Sequence, residues 1–143
     1  MSRVALFATI QLSLILLIQG RTMDRCQIAR ELNNYGFPRE ELPDWVCLVE
    51  GESSGQTDVV GPPNTDGSRD HGLFQINDRY WCEDGPNPGK ECNVRCSDLE
   101  QDDIGAAVGC AKMIFGVHGF NAWVAWVNNC QGKPLPDLGP CGL

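Results

Sequence analysis

Two stretches of the chain concentrate the side chains able to do chemistry. Trp45-Val46-Cys47-Leu48-Val49-Glu50-Gly51-Glu52-Ser53 sets two carboxyls in an apolar run. Asn64-Thr65-Asp66-Gly67-Ser68-Arg69-Asp70-His71-Gly72-Leu73-Phe74-Gln75-Ile76-Asn77 sets others among amides and glycines. Carboxyls in unlike surroundings are the material of acid–base catalysis, because an apolar wall favours the neutral acid and polar partners favour the anion. Taken singly, neither residue declares itself. A glutamate at a helix end followed by Ser53-Ser54-Gly55 reads as a solvated surface carboxylate, and Asp70 in turn-rich chain reads no differently.

The elements that must position these groups follow from spacing. Asp24 and Gln27 have capping-box spacing, and Ile28, Ala29 and Leu32 recur on one face, so a first helix is expected to stop near Asn34-Tyr35-Gly36. Pro43 stands as a first-turn proline, with Leu42, Val46 and Val49 behind it, predicting a second helix that ends near Ser53 and carries Glu52. Glu50 lies about 200° around that helix from Glu52 and is expected to face solvent. Between Thr57 and Asn77, Val59-Val60, Gly61-Pro62-Pro63, Asp66-Gly67 and Leu73-Phe74-Gln75-Ile76 read as short strands joined by turns. Alternation puts His71 on the opposite face from Asp70, as a structural residue. The stretch 82–96, rich in Gly, Pro and Asn, is too poor in apolar side chains to fold by burial and depends on its cysteines. Ile104, Ala107, Val108, Ala111, Ile114 and Phe115 form the stripe of a third helix, with Asp102 and Asp103 expected as charges at its start. Residues 121–127 are expected to form a shorter aromatic helix, with Trp45 and Trp126 in the core. The tail Gly132-Lys133-Pro134-Leu135-Pro136 is not regular helix.

Composition limits the function classes. The 143 residues carry 11 basic and 19 acidic side chains, a net charge of -8, which argues against nucleic acid or an anionic membrane as partner. The apolar run 4–18 follows Arg3 and is shorter than the roughly 20 residues of a bilayer span, so residues 1–20 read as a secretory signal peptide. Its removal leaves 10 basic against 19 acidic side chains. All eight cysteines lie beyond it, and an even count in a short exported chain predicts four disulfides, with 105 possible arrangements. Zinc is the competing reading; no Cys-x-x-Cys pair occurs, and His71 and His118 are far apart.

With Cys92-x3-Cys96-x2-Leu99-x3-Asp103-Ile104-x5-Cys110 and Asn121-Ala122-Trp123-Val124-Ala125-Trp126 added, the two opening stretches resemble c-type lysozymes of the lysozyme/α-lactalbumin family. The likeness runs over about residues 21–143, and Arg21-Thr22-Met23-Asp24-Arg25-Cys26 is similar to the start of insect members. It implies an α+β fold: a helical lobe (21–57 and 104–143), a small antiparallel sheet and loop lobe (58–103), and an active cleft between them. It implies disulfides Cys26 with Cys141, Cys47 with Cys130, Cys82 with Cys96, and Cys92 with Cys110.

Carried over by position, the resemblance makes Glu52 the general acid and Asp70 the nucleophile or electrostatic stabiliser. Cleaving an acetal needs a proton on the departing oxygen and negative charge near the developing oxocarbenium ion; the family is the type case of this chemistry. Trp123 resembles the indole packed over the acid, while Asn64 and Asn77 match positions that hydrogen-bond the second carboxylate. Tyr80 and Trp81 resemble the aromatic pair lining the sugar cleft, with Gln75, Asn77 and the Ala122 backbone as further contacts. Gly116-Val117-His118-Gly119 is one residue shorter than in common relatives and lacks an acid often found there. Calcium, which some members bind, is not expected, because the side-chain ligand positions hold Gln101, Ala106 and Ala107. No cofactor or metal is expected. The implied activity is a secreted, monomeric lysozyme that hydrolyses peptidoglycan, with chitin-like oligosaccharides as a further substrate. The rival is a catalytically silent binding protein on the same scaffold.

Overall fold

The computed structural model describes residues 5, 8 and 20–143. The expected signal peptide lies almost entirely outside the described residues. Helix α1 (Arg25–Asn34) begins where the capping box predicts: Asp24 Oδ1 accepts from the Gln27 N–H and Gln27 Oε1 from the Asp24 N–H, both at 2.9 Å. Its buried face is Ile28, Ala29 and Leu32. Helix α2 (Leu42–Ser53) carries Pro43 in its first turn and stops at Ser54, left-handed at φ 54°. Gly55, at φ 78°, then lies flat on Met23: a Cβ there would stand 2.2 Å from the Met23 carbonyl oxygen. The Met23 N–H donates to the Gly55 carbonyl (2.8 Å), and Thr57 and Arg21 exchange bonds beyond it. The chain just before α1 thus fastens the end of α2, where Glu52 sits.

Strands β1 (Asp70–His71) and β2 (Ile76–Asn77) pair antiparallel, Asp70 opposite Asn77 and His71 opposite Ile76. The strand expected over residues 73–76 is for the most part a turn. Leu73 and Phe74 are both wholly buried, which consecutive residues on opposite faces of an exposed ribbon could not be. Gly72 closes that turn at φ 74°, and a Cβ there would meet the Leu99 carbonyl at 1.8 Å. The segment 59–60 contributes only a bridge from Val60 to His71.

Helix α3 (Gly105–His118) buries Ala107, Val108, Cys110, Ala111 and Ile114. Asp102 and Asp103 lie before its first turn rather than in it. Asp103 Oδ1 accepts from the Gly105 N–H at 2.9 Å, and Asp102 pairs instead with Arg21 at 2.5 Å. Glu50 also departs from expectation, pairing with Arg25 at 3.0 Å rather than facing solvent alone. The expected helix over 121–127 is split into a 3-10 turn (Gly119–Ala122) and α4 (Val124–Asn129). Between them Trp123 is extended, so its indole drops into the core and donates to the Phe74 carbonyl at 2.9 Å.

Trp45 is the centre of that core, 1% exposed and in contact with five other rings: Phe37, Phe74, Phe115, Phe120 and Trp123. Trp126 is only half-buried; it stacks on Phe120 and donates to Asp44 at 2.9 Å. Disulfides Cys26–Cys141 and Cys47–Cys130 close spans of 115 and 83 residues and bind the C-terminal tail to α1 and α4 to α2. Cys82–Cys96 and Cys92–Cys110 close spans of 14 and 18 and hold the polar loop to itself and to α3. No helix among the described residues is long and apolar enough to cross a membrane.

Candidate active site

Glu52 ends α2 half-buried, and its Oε1 accepts a hydrogen bond from the Ala125 N–H at 3.1 Å. That single donor comes from the start of α4, 73 residues away in sequence. Burial raises the Glu52 carboxyl above its ordinary value of 4.5; the Ala125 N–H works against the shift and the nearby Asp70 charge adds to it. The group is therefore biased toward the protonated form.

Asp70 is set in a polar web. The Asn77 side-chain amide donates to its Oδ1 at 2.9 Å, and the Asn64 amide reaches its Oδ2 at 3.5 Å. Both amides also donate to the Ser68 hydroxyl oxygen, at 2.9 and 3.1 Å, and that hydroxyl spends its own proton on Asp66 at 2.5 Å. Ser68 thus orients two amide donors toward Asp70. Asp66 in turn is held down to about 2 by the Ser68 hydroxyl, the Ser68 N–H and Arg79. Sequence reasoning missed Asp66 and Ser68 as supports, although Asp66-Gly67-Ser68 carries the signal of an Asx turn, which the Ser68 N–H closes on Asp66 at 2.9 Å.

Glu52 and Asp70 line one cleft of about 780 Å³. Of the residues expected around them, Gln75, Asn77, Tyr80, Trp81, Ala122 and Trp123 line it too. Asn64 does not; it acts on Asp70 from behind. Gln75 contributes less than its type suggests, because its amide nitrogen is committed to the Val59 and Gly72 carbonyls, leaving the oxygen. Tyr80 is 55% exposed, a ring open to stacking, with the Arg79 guanidinium 5.2 Å from its centroid. Trp81 meets His118 edge-on at 6.0 Å. Trp123 is buried, leaning on Trp45 at 5.4 Å, and forms part of the same wall as Glu52. The sequence reading assigned no lining role to Ile76, Glu91, Met113, Ile114, Val117, His118 or Val124. They face the cleft from the polar loop, β2, α3 and α4, and nothing local marks them.

The densest group of metal-ligand types among the described residues is His71, Cys82 and Cys96, with ligand atoms within 4.8 Å of one another. The two sulfurs are bonded to each other and offer no thiolate, so the group is unsuited to a metal.

The model of the C-type lysozyme/alpha-lactalbumin family matches residues 21–141. A lysozyme of Galleria mellonella is 54% identical over 121 residues, covering 85% of this chain and all of that protein. A lysozyme of Bombyx mori is 52% identical over 123 residues, covering 86% of this chain and 88% of the other. Among solved structures, a canine milk lysozyme stabilised against non-enzymatic deamidation superposes with a TM-score of 0.78 at 35% identity, covering 86% of this chain and all of that one.

Proposed function

The chain belongs to the C-type lysozyme/alpha-lactalbumin family, and from that premise we propose that Glu52 and Asp70 together hydrolyse the β-1,4 bond between N-acetylmuramic acid and N-acetylglucosamine in peptidoglycan. That it is a glycoside hydrolase of the lysozyme kind, acting on a glycan, follows from the family and from relatives that carry the name. The residue roles rest on one observation: two carboxyls share a cleft, one raised by burial and the other met by two amide donors.

In this reading the protonated Glu52 gives its proton to the glycosidic oxygen as the bond from the sugar C1 breaks. Asp70 carries negative charge beside that carbon and bonds to it, or stabilises it, on the opposite face. Water then attacks C1, losing a proton to the Glu52 carboxylate, and Asp70 departs, so configuration is retained. The sugar lies between a helical part (21–57 and 104–143) and a sheet and loop part (58–103). Tyr80 and Trp81 stack on sugar faces, Asn77 and the Gln75 oxygen meet hydroxyls, and the Ala122 backbone and Trp123 shape the wall. Secretion belongs to the proposal, and four disulfides suit an oxidising compartment.

The test is release of reducing ends from purified peptidoglycan by the oxidised protein, with the anomer of the first product read by NMR. Release with a β-anomer supports the reading. Binding without release would leave the silent scaffold, and an α-anomer would remove Asp70 as the covalent partner.

Charge adds a prediction. Ten basic against 19 acidic side chains remain after residue 20, so the enzyme meets an anionic wall against repulsion. The raised Glu52 loses its proton as pH climbs through its value, which removes the acid. Both effects place the optimum on bacterial walls at mildly acidic pH. On a neutral chitin oligomer the dependence on salt should vanish while the alkaline fall remains; a wall optimum above about pH 7.5 at low salt would contradict the prediction.

A further inference from the structure

Among the described residues, the mechanism leaves one buried titratable side chain unused. His71, next to Asp70 on β1 but facing the other way, is only 4% exposed and lies between two carboxylates. Its Nδ1 is 3.0 Å from Glu100 Oε2, on the 3-10 helix Cys96–Glu100, and its Nε2 is 3.0 Å from Asp78 Oδ2, in the turn after β2. Asp78 does more than meet the ring. Its other oxygen accepts from the Arg69 N–H at 3.1 Å, while its own N–H donates to the Arg69 carbonyl at 2.9 Å. One carboxylate therefore grips the residues on both sides of Asp70. On the far side of the ring, Glu100 ties the strand to a helix already pressed against it, since the Leu99 carbonyl lies where a Gly72 Cβ would be.

Both ring contacts are hydrogen bonds only when both nitrogens carry hydrogen. With a neutral ring, one lone pair would face a carboxylate oxygen at 3.0 Å, and that arm of the clamp would open. Other charged groups lie near the ring. Arg69 and Asp70 flank it on β1, and Lys90 places its ammonium on the Asp78 carbonyl. Asp98, on the helix of Glu100, is already paired with Arg95, and the Cys82–Cys96 disulfide beside the ring carries no charge.

We propose that His71 is a positioning residue for the hydrolysis: its ring clamps Asp70's strand between Glu100 and Asp78, so removing its two nitrogens misplaces Asp70. The proposal rests on the catalytic reading of Asp70. Displacements on the order of 1 Å at a reacting group cost up to about a hundredfold in rate, so a clamp on a two-residue strand has leverage on kcat.

The test compares His71→Phe, which keeps a buried ring and removes both nitrogens, and Glu100→Ala, which removes one partner, with the wild type on a neutral chitin oligomer, which removes the wall's own charge. In His71→Phe kcat should fall about tenfold with KM nearly unchanged, and in Glu100→Ala by a smaller factor in the same sense. His71→Gln, whose amide can still meet one carboxylate, should recover part of that loss. A merely structural clamp would lower Tm and leave kcat of the folded enzyme as in the wild type, which would overturn the proposal. Should the variants fail to fold, ring nitrogen NMR of the wild-type enzyme decides the matter. Ring N–H signals of His71 held in hydrogen bonds and protected from exchange with water support the clamp, and their absence sinks it. Full activity in Asp70→Asn would instead remove the catalytic reading, an outcome the ring spectrum does not depend on.

Discussion

Glu52→Gln is expected to lower turnover on peptidoglycan by at least about a hundredfold, the usual scale for removing a general acid, with KM little changed. The amide keeps an oxygen for the Ala125 N–H and so keeps the local geometry, but it has no proton to give. Asp70→Asn should cost at least as much by removing the charge that faces the sugar carbon, while Asn77 and Ser68 still find hydrogen-bond partners. Rates near wild type in either variant would take that carboxyl out of the mechanism. Stability should move the other way for Glu52. Its carboxyl binds a proton more tightly folded than unfolded, so folding loses stability as pH rises from the ordinary 4.5 through the raised folded value. Glutamine never ionises. Glu52→Gln should therefore match the wild-type Tm at about pH 4 and exceed it at about pH 7.5, a comparison thermal unfolding makes directly. An acid that costs stability where it works is the pattern expected of a group kept for catalysis.

Trp45→Ala should destabilise the protein by about 3–5 kcal/mol, measured as a shift of the urea midpoint at constant slope. The indole is 1% exposed and wedged among five aromatic rings, so truncation leaves a cavity that neighbours on α2, α3 and the turn after β1 cannot all close. Against a typical total of about 5–15 kcal/mol this is a large share. The consequence reaches the cleft, because Trp123 leans on Trp45 and forms part of the Glu52 wall. Trp45→Phe should cost less and keep activity. A loss below about 1 kcal/mol for the alanine variant would show that the aromatic cluster is not what carries the core.

Much of the scaffold was legible because it depends on neighbours in sequence. The capping box of Asp24 and Gln27, the first-turn Pro43 and the stop after Ser53 are contests among groups a few residues apart, and α1 and α2 form where these signals place them. Several features were misjudged where a distant contact overrode local preference. Trp123 interrupts a helix to reach the Phe74 carbonyl, Asp102 leaves the start of α3 for Arg21, and Leu73-Phe74 form a turn to enter the core.

Residue order by itself determined the family, the eight cysteines open to crosslinking, and the positions of the two carboxyls proposed to do the chemistry. Tertiary structure alone decided what those carboxyls feel. The burial that raises Glu52, the charge of Asp70 beside it, the walls from α3 and α4, and the clamp of Asp78 and Glu100 on His71 all come from remote parts of the chain. Desolvation and Coulomb energy depend on distance through space, and a linear sequence records distance only along the backbone.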